Sequence, residues 1–153
     1  MIHIEPNIIN QLSDHALRKF PDECCGFLLG FETAKNRFVT EIIVLQNAKE
    51  GDKRRRFKIA PTDYLKAERY ADENGLTLLG VYHSHPKHPS IPSEHDRRAA
   101  QPYFSYLILS VVKNQVKSIQ SWVLNDEQQF EEEQVFENKQ LNNFKIKDLW
   151  LQL

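Results

Sequence analysis

The stretch from Leu78 to Asp96 limits the folds open to this chain more than any other part of it. Leu78, Leu79, Gly80 and Val81 run into His83-Ser84-His85, and Pro86 closes the run. A short apolar run that ends at proline predicts a strand over Leu76–Ser84. Side chains alternate along a strand, so His83 and His85 share one face and Ser84 takes the other. Two imidazoles so placed can share one metal ion. Asp96 lies eleven residues beyond His85, across a loop stiffened by Pro86, Pro89 and Pro92. Ser93 reads as a helix N-cap, with Asp96 in the first turn of a helix over 94–101. Two neutral imidazoles and a carboxylate, with a fourth position left to water, form the ligand set of a catalytic zinc site. Each part also has a plainer reading. A His-x-His pair can be hydrogen-bonded without metal, and an acid three residues after Ser93 suits any helix start.

The whole pattern is more restrictive than its parts: His83-Ser84-His85-Pro86, six residues, Ser93, two residues, Asp96. It resembles the His-x-His-Pro-x6-Ser-x2-Asp signature of the JAMM (MPN+/Mov34) zinc metallopeptidases, and the match is complete. The resemblance spans residues 6–125 and is greatest with the short prokaryotic members. It implies a sheet order related to the cytidine-deaminase layout.

Composition fits one soluble domain over residues 1–153. A chain of 153 residues can bury roughly two-thirds of its unfolded surface. Formal net charge is −1, so no global field points to nucleic acid or to an anionic membrane. No apolar run approaches the ~20 residues of a membrane span, and the first residues lack the basic and apolar regions of a signal peptide. The two cysteines, Cys24 and Cys25, are neighbours in an apolar run. Neighbouring residues do not meet ordinary disulfide geometry. Unpaired thiols and no export signal predict a reducing cytoplasm.

The periodicity predicts an amphipathic helix over 6–19, a buried strand over 24–30 and a second, antiparallel strand over 37–46. A polar loop over 47–56 carries Lys53-Arg54-Arg55-Arg56, either a solvated stretch or a dock for an acidic partner. A short strand at Phe57–Ile59 and a helix over 61–74, capped by Thr62 and stopped by Gly75, come next. Beyond the motif lie strands over 103–112, 117–124 and 130–136. Residues 137–153 are polar, but Phe144, Ile146, Leu149, Trp150 and Leu151 predict an extension packed on the domain rather than a disordered tail. The fold class is α/β, with a mixed, largely antiparallel sheet flanked by helices.

A hydrolytic metal site also needs a group to move protons. Asp22 and Glu23 both stand where a turn enters the buried strand, and burial would raise either carboxyl toward neutrality. The residues alone do not choose between them. The resemblance does: Pro21 to Gly30 looks like the family's first-strand segment, which assigns Glu23 as general acid/base. It also implies that Ser93 hydrogen-bonds the developing oxyanion, and that the substrate is a peptide or isopeptide bond after the Gly-Gly end of a ubiquitin-like protein. The short members act on sulfur carriers of this type. His88 and His95 match no ligand position.

Other chemistries lack their residues. There is no His-Glu-x-x-His helix, no deaminase Pro-Cys-x-x-Cys and no Gly-rich phosphate loop. Alternation aims Ser84 away from both histidines, and Cys24 and Cys25 read as buried structural thiols. A structural zinc site would normally have four protein ligands. The runner-up is a non-catalytic module that binds ubiquitin-like proteins, as in family members that have lost the metal ligands.

Overall fold

The computed structural model describes residues 1–138. Its elements are β1 (Ile2–Ile4), α1 (Pro6–Lys19), β2 (Cys25–Glu32), β3 (Arg37–Leu45), α2 (Pro61–Glu73), β4 (Thr77–Pro86), α3 (Glu94–Ala99), β5 (Ser105–Val112), β6 (Gln115–Leu124), β7 (Phe130–Glu133) and β8 (Val135–Glu137). The extension expected over 137–153 lies, from residue 139 onward, outside the described residues. Among the described residues no helix is long and apolar enough to cross a membrane.

The eight strands form one mixed sheet in the order β7-β6-β5-β4-β2-β3-β1-β8. β2 pairs antiparallel with β3 and β4, β6 pairs antiparallel with β5 and β7, and β4–β5, β1–β3 and β1–β8 are parallel. β7 and β8 are separated by Gln134 alone yet hold opposite edges. The sheet therefore curls until its edges meet. Glu133 helps close that seam, accepting hydrogen bonds from Ser105 and Ser121, while Arg37 donates to Ser105.

Two apolar layers position the central strands. On one face Ile8, Leu12 and Ala16 of α1 pack on Leu28, Val39, Leu79, Tyr82, Leu107 and Leu109. On the other, Ala67 and Ala71 of α2 pack on Phe27, Leu29, Val81, Phe104 and Tyr106. Burying each large aliphatic or aromatic side chain contributes about 1.5–3 kcal/mol, so these two layers hold the central strands in place.

Three expectations need correction. Phe57–Ile59 is not a strand: Asn47 Oδ1 takes the Lys58 N–H, and the only backbone bond there is Ala48 N–H to the Lys58 carbonyl, so no ladder forms. Thr62 is not the cap of α2. The helix starts at Pro61, which puts Thr62 inside it and leaves Ala60, whose side chain has no acceptor, at the cap position. Phe130–Phe136 is two strands rather than one, and β1 has only three residues, too few to show a period.

The phase of β4 matters most for function. Leu28 faces Gly80 and Leu29 faces Leu78, so Leu79 has no partner on β2. One extra residue resets the alternation. Leu78 and Val81 now both face α2, and His83 follows on that side. Gly80 makes the close approach to β5 possible, since a Cβ there would lie 1.9 Å from the Ser105 carbonyl oxygen. Backbone cannot yield as a side-chain tip can. Gly80→Ala is expected to cost about 3 kcal/mol, the upper end for overpacking, and to lower Tm by roughly 10 °C in thermal unfolding. An unchanged Tm would mean that β4 and β5 separate freely.

Candidate metal centre

The register of β2 against β4 builds the site. Cys25 faces His83, and the Ser84 N–H donates to the Cys24 carbonyl, so continuing the ladder brings Glu23 across from His85. Ser84 points to the opposite face, where its Oγ accepts from the Cys24 N–H at 2.9 Å. That contact locks the β2 entrance to β4 and leaves Ser84 turned away from the imidazoles.

His83, His85 and Asp96 are all buried and form a group able to hold a metal ion. Their facing atoms are close: His83 Nε2 to His85 Nε2 3.1 Å, His85 Nε2 to Asp96 Oδ2 3.2 Å, and His83 Nε2 to Asp96 Oδ2 3.4 Å. Each side chain is set from behind. His85 Nδ1 donates to the Pro89 carbonyl at 2.8 Å, which leaves Nε2 unprotonated and aimed at Asp96 when the ring is neutral. The His83 ring is wholly buried and stacks on Phe57 at 4.4 Å. Asp96 belongs to a capping box in which Ser93 Oγ accepts from the Asp96 N–H and Asp96 Oδ2 accepts from the Ser93 N–H at 2.8 Å.

The loop over 87–92 is held by residues that no local pattern marks. Trp122 Nε1 donates to the Ser90 carbonyl, Ser90 Oγ bonds Ser118 and Gln120, and Ser110 donates to the His88 carbonyl. These contacts fix the Pro89 carbonyl and, through it, the His85 ring.

The carboxylate beside the three is Glu23, whose Oε1 lies 3.9 Å from His85 Nε2. Asp22 lines a third cavity with Lys19, Lys53 and Glu23 itself, but unlike Glu23 it lines neither of the two cavities beside the histidines. Burial pushes the Glu23 carboxyl up to about 8, against the opposing pull of His85. Burial would also raise Asp96, but the two imidazoles and the Ser93 N–H outweigh it and hold the carboxyl below its ordinary range. Burial lowers His83. His85 is lowered by burial but raised more by its bonds to Asp96 and Pro89, with a net upward shift. The cysteines are free and buried, and burial pushes their thiols up to about 11 and about 12. Neither is a ready nucleophile.

Two cavities flank the group. One of about 480 Å³ is lined by Phe57, Ile59, Tyr64, Val81 and Tyr106 next to His83 and Asp96, with His95 at its wall. The other, of about 530 Å³, is lined by Glu23, Arg55, His85, His88, Ile91 and Ser93. The loop over 47–58 contributes to both, Phe57 to the first and Arg55 to the second.

A buried His-His-Asp group with an adjacent protonatable carboxyl, open to two clefts, is the arrangement of a metal-dependent hydrolase. The family described as prokaryotic homologs of the JAB domain matches residues 5–125, and the chain belongs to that family, the one its His-x-His-Pro signature resembles. Among its relatives, a probable TtuB-protein conjugate cleaving protease from Thermus thermophilus is 31% identical over 108 residues, 71% of this chain and 69% of that protein. A desampylase from Pyrococcus furiosus is 28% identical over 110 residues, 72% of each. The solution structure of a protein from Desulfitobacterium hafniense superposes with a TM-score of 0.83 at 30% identity, covering 94% of this chain and 97% of that one. A JAB1/MPN domain protein from Archaeoglobus fulgidus shares the fold, with a TM-score of 0.58 at 17% identity over 90% of this chain and 97% of its own.

Proposed function

We propose that this JAMM-type peptidase, acting as one domain in the cytoplasm, hydrolyses the peptide or isopeptide bond after the C-terminal Gly-Gly of a ubiquitin-like protein of sulfur-carrier type. The observation that carries the reading is the convergence of His83 Nε2, His85 Nε2 and Asp96 Oδ2 within 3.4 Å of one another, with Glu23 beside them. The named relatives, a conjugate-cleaving protease and a desampylase, support it.

In this reading His83, His85 and Asp96 would hold Zn²⁺. Four-coordinate zinc with bonds of about 2.0–2.2 Å keeps its ligands roughly 3.3–3.5 Å apart, close to the 3.1, 3.2 and 3.4 Å between these atoms. With His85 neutral and its Nδ1 hydrogen on the Pro89 carbonyl, the lone pairs of His85 Nε2 and Asp96 Oδ2 converge on one point, which a proton or a metal ion can occupy. When bound, zinc supplies a Lewis acid for the scissile carbonyl and acidifies water at neutral pH.

Glu23 takes a proton from the attacking water and returns it to the leaving amine. Burial alone would keep this carboxyl protonated at neutral pH, and a nearby cation draws its pKa back down, toward the range where one group can serve as base and then acid. Ser93 Oγ accepts from the Asp96 N–H, so its hydroxyl hydrogen remains available to donate to the oxyanion. Because Glu23 must reach the leaving nitrogen, the amine departs through the cavity of Glu23, Arg55 and His88. The Gly-Gly tail then lies in the apolar cavity beside Phe57 and Tyr64. A tail without side chains can lie extended there, and selection of the carrier falls to its globular body.

The test is a panel of carrier conjugates, their Gly→Leu variants at the last residue, linked ubiquitin chains and a random peptide library. Carrier conjugates should be cut and the Leu variants left intact. Equal cleavage of the library would make the chain a general peptidase. Binding of the carrier without any cleavage by the zinc-loaded protein would favour the interaction-module reading instead.

A further inference from the structure

Glu23 stands outside the sheet ladder, because β2 begins at Cys25, so no strand partner holds its peptide groups. Both are occupied all the same. Its N–H donates to the Lys53 carbonyl at 2.7 Å, and its carbonyl accepts from Asn47 Nδ2 at 3.1 Å. Asn47 Nδ2 also donates to the Arg56 carbonyl at 3.0 Å, while Asn47 Oδ1 accepts from the N–H groups of Lys49 and Lys58, each at 3.0 Å. A carboxamide has two donor hydrogens and two acceptor lone pairs, and here all four are used. One side chain thus ties both ends of the 48–58 loop to the main chain of Glu23. The same loop carries Phe57, whose ring covers His83 at 4.4 Å.

We infer that Asn47 is a positioning residue for Glu23: it holds the Glu23 carbonyl directly and braces the loop whose Lys53 carbonyl takes the Glu23 N–H, and so keeps the carboxyl beside the His83–His85–Asp96 group. The inference rests on the reading of Glu23 as general acid/base. Aspartate would keep the two acceptor contacts but lose both donors and set an anion against two carbonyl oxygens. Glutamine would displace the amide by about 1.5 Å, one carbon–carbon bond. A shift of 1 Å in a reacting group costs on the order of 10²-fold in rate, so even partial loosening should register in turnover.

The test uses Asn47→Ala, Asn47→Asp, Glu23→Gln and the double variant Glu23→Gln/Asn47→Ala of the full chain. In zinc-free protein, amide hydrogen exchange at Glu23, Lys49 and Lys58 should quicken at least about tenfold in Asn47→Ala, while the Cys24 amide, held by Ser84 Oγ, stays protected. In Asn47→Asp the Lys49 and Lys58 amides should remain protected. With zinc, both Asn47 variants should keep the metal and lose about thirtyfold in kcat, within the cost of a sub-ångström misplacement, with KM changed less than threefold. If Asn47 acts through Glu23, the alanine change should cost less than twofold in the Glu23→Gln background, a non-additivity that general loosening of the fold would not produce.

A kcat within twofold of wild type in Asn47→Asp, or the full thirtyfold loss repeated on top of Glu23→Gln, overturns the inference. Should Asn47→Ala fail to fold, Asn47→Asp decides by the same criteria. Near-normal activity of Glu23→Gln removes the general acid/base role and the positioning role with it. An inactive Glu23→Gln alongside a normal Asn47→Asp removes the positioning role alone.

Discussion

Glu23→Gln is expected to lower kcat by about 10²–10⁴-fold, the usual contribution of a general acid–base group, while the zinc content and Tm stay close to wild type. The substitution is nearly isosteric and removes only the titrating oxygen. The residue's peptide contacts, to Lys53 and Asn47, run through its main chain and survive the change. A buried carboxyl whose pKa is raised by desolvation also loses little stability when made permanently neutral, because the folded state already disfavours its charge. KM should move little, since Glu23 acts on protons in the transition state rather than on the bound tail. Steady-state kinetics with one carrier conjugate, beside metal analysis of the same preparation, makes the comparison. Turnover within threefold of wild type would return the role to Asp22 or another acid.

What the sequence disclosed and what it concealed divide by the range of the interactions. His83, Ser84 and His85 take the faces that strand alternation dictates, and Ser93 with Asp96 forms the capping box that their spacing suggests. Those are local rules, and local rules can be read from a chain. Which of Asp22 and Glu23 lies across from His85 depends on the register of β2 against β4, fixed by pairing across almost 60 residues, and periodicity cannot show that. The unpaired Leu79 that resets β4 is likewise invisible in a run of apolar residues. Phe57 reads as part of a short strand, yet its role is to cover His83, and Asn47 reads as the first residue of a polar loop, yet it bonds four backbone groups. Ser90, Ser118, Gln120 and Trp122 hold the loop behind His85 across 28 to 32 positions. Side chains that support a site carry no signature of their own, because any donor or acceptor at the right point of the fold would serve.

The His83→Ala/His85→Ala double variant should lose zinc and all measurable hydrolysis, and it tests the ligand assignment without relying on activity alone. A ligand that binds only the folded chain stabilises it by RT ln(1 + [L]/Kd), about 2.7 kcal/mol at a hundredfold excess over Kd. For a domain of this size that is roughly 5–10 °C in Tm. Added zinc should therefore raise the Tm of metal-stripped wild type by that amount and leave the double variant unmoved. The variant should also be less stable than metal-stripped wild type. Asp96 is buried and held ionised by the two imidazoles and the Ser93 N–H. With the imidazoles gone, a carboxylate with one remaining donor sits in a cavity that two rings have vacated, and the fold must accept a proton there or water. Single His85→Ala should show a smaller form of both effects, because His83 Nε2 remains 3.4 Å from Asp96 Oδ2. Zinc bound at full occupancy by the double variant, with an undiminished Tm shift, would remove these residues as ligands. The proposed function would lose the observation on which it stands.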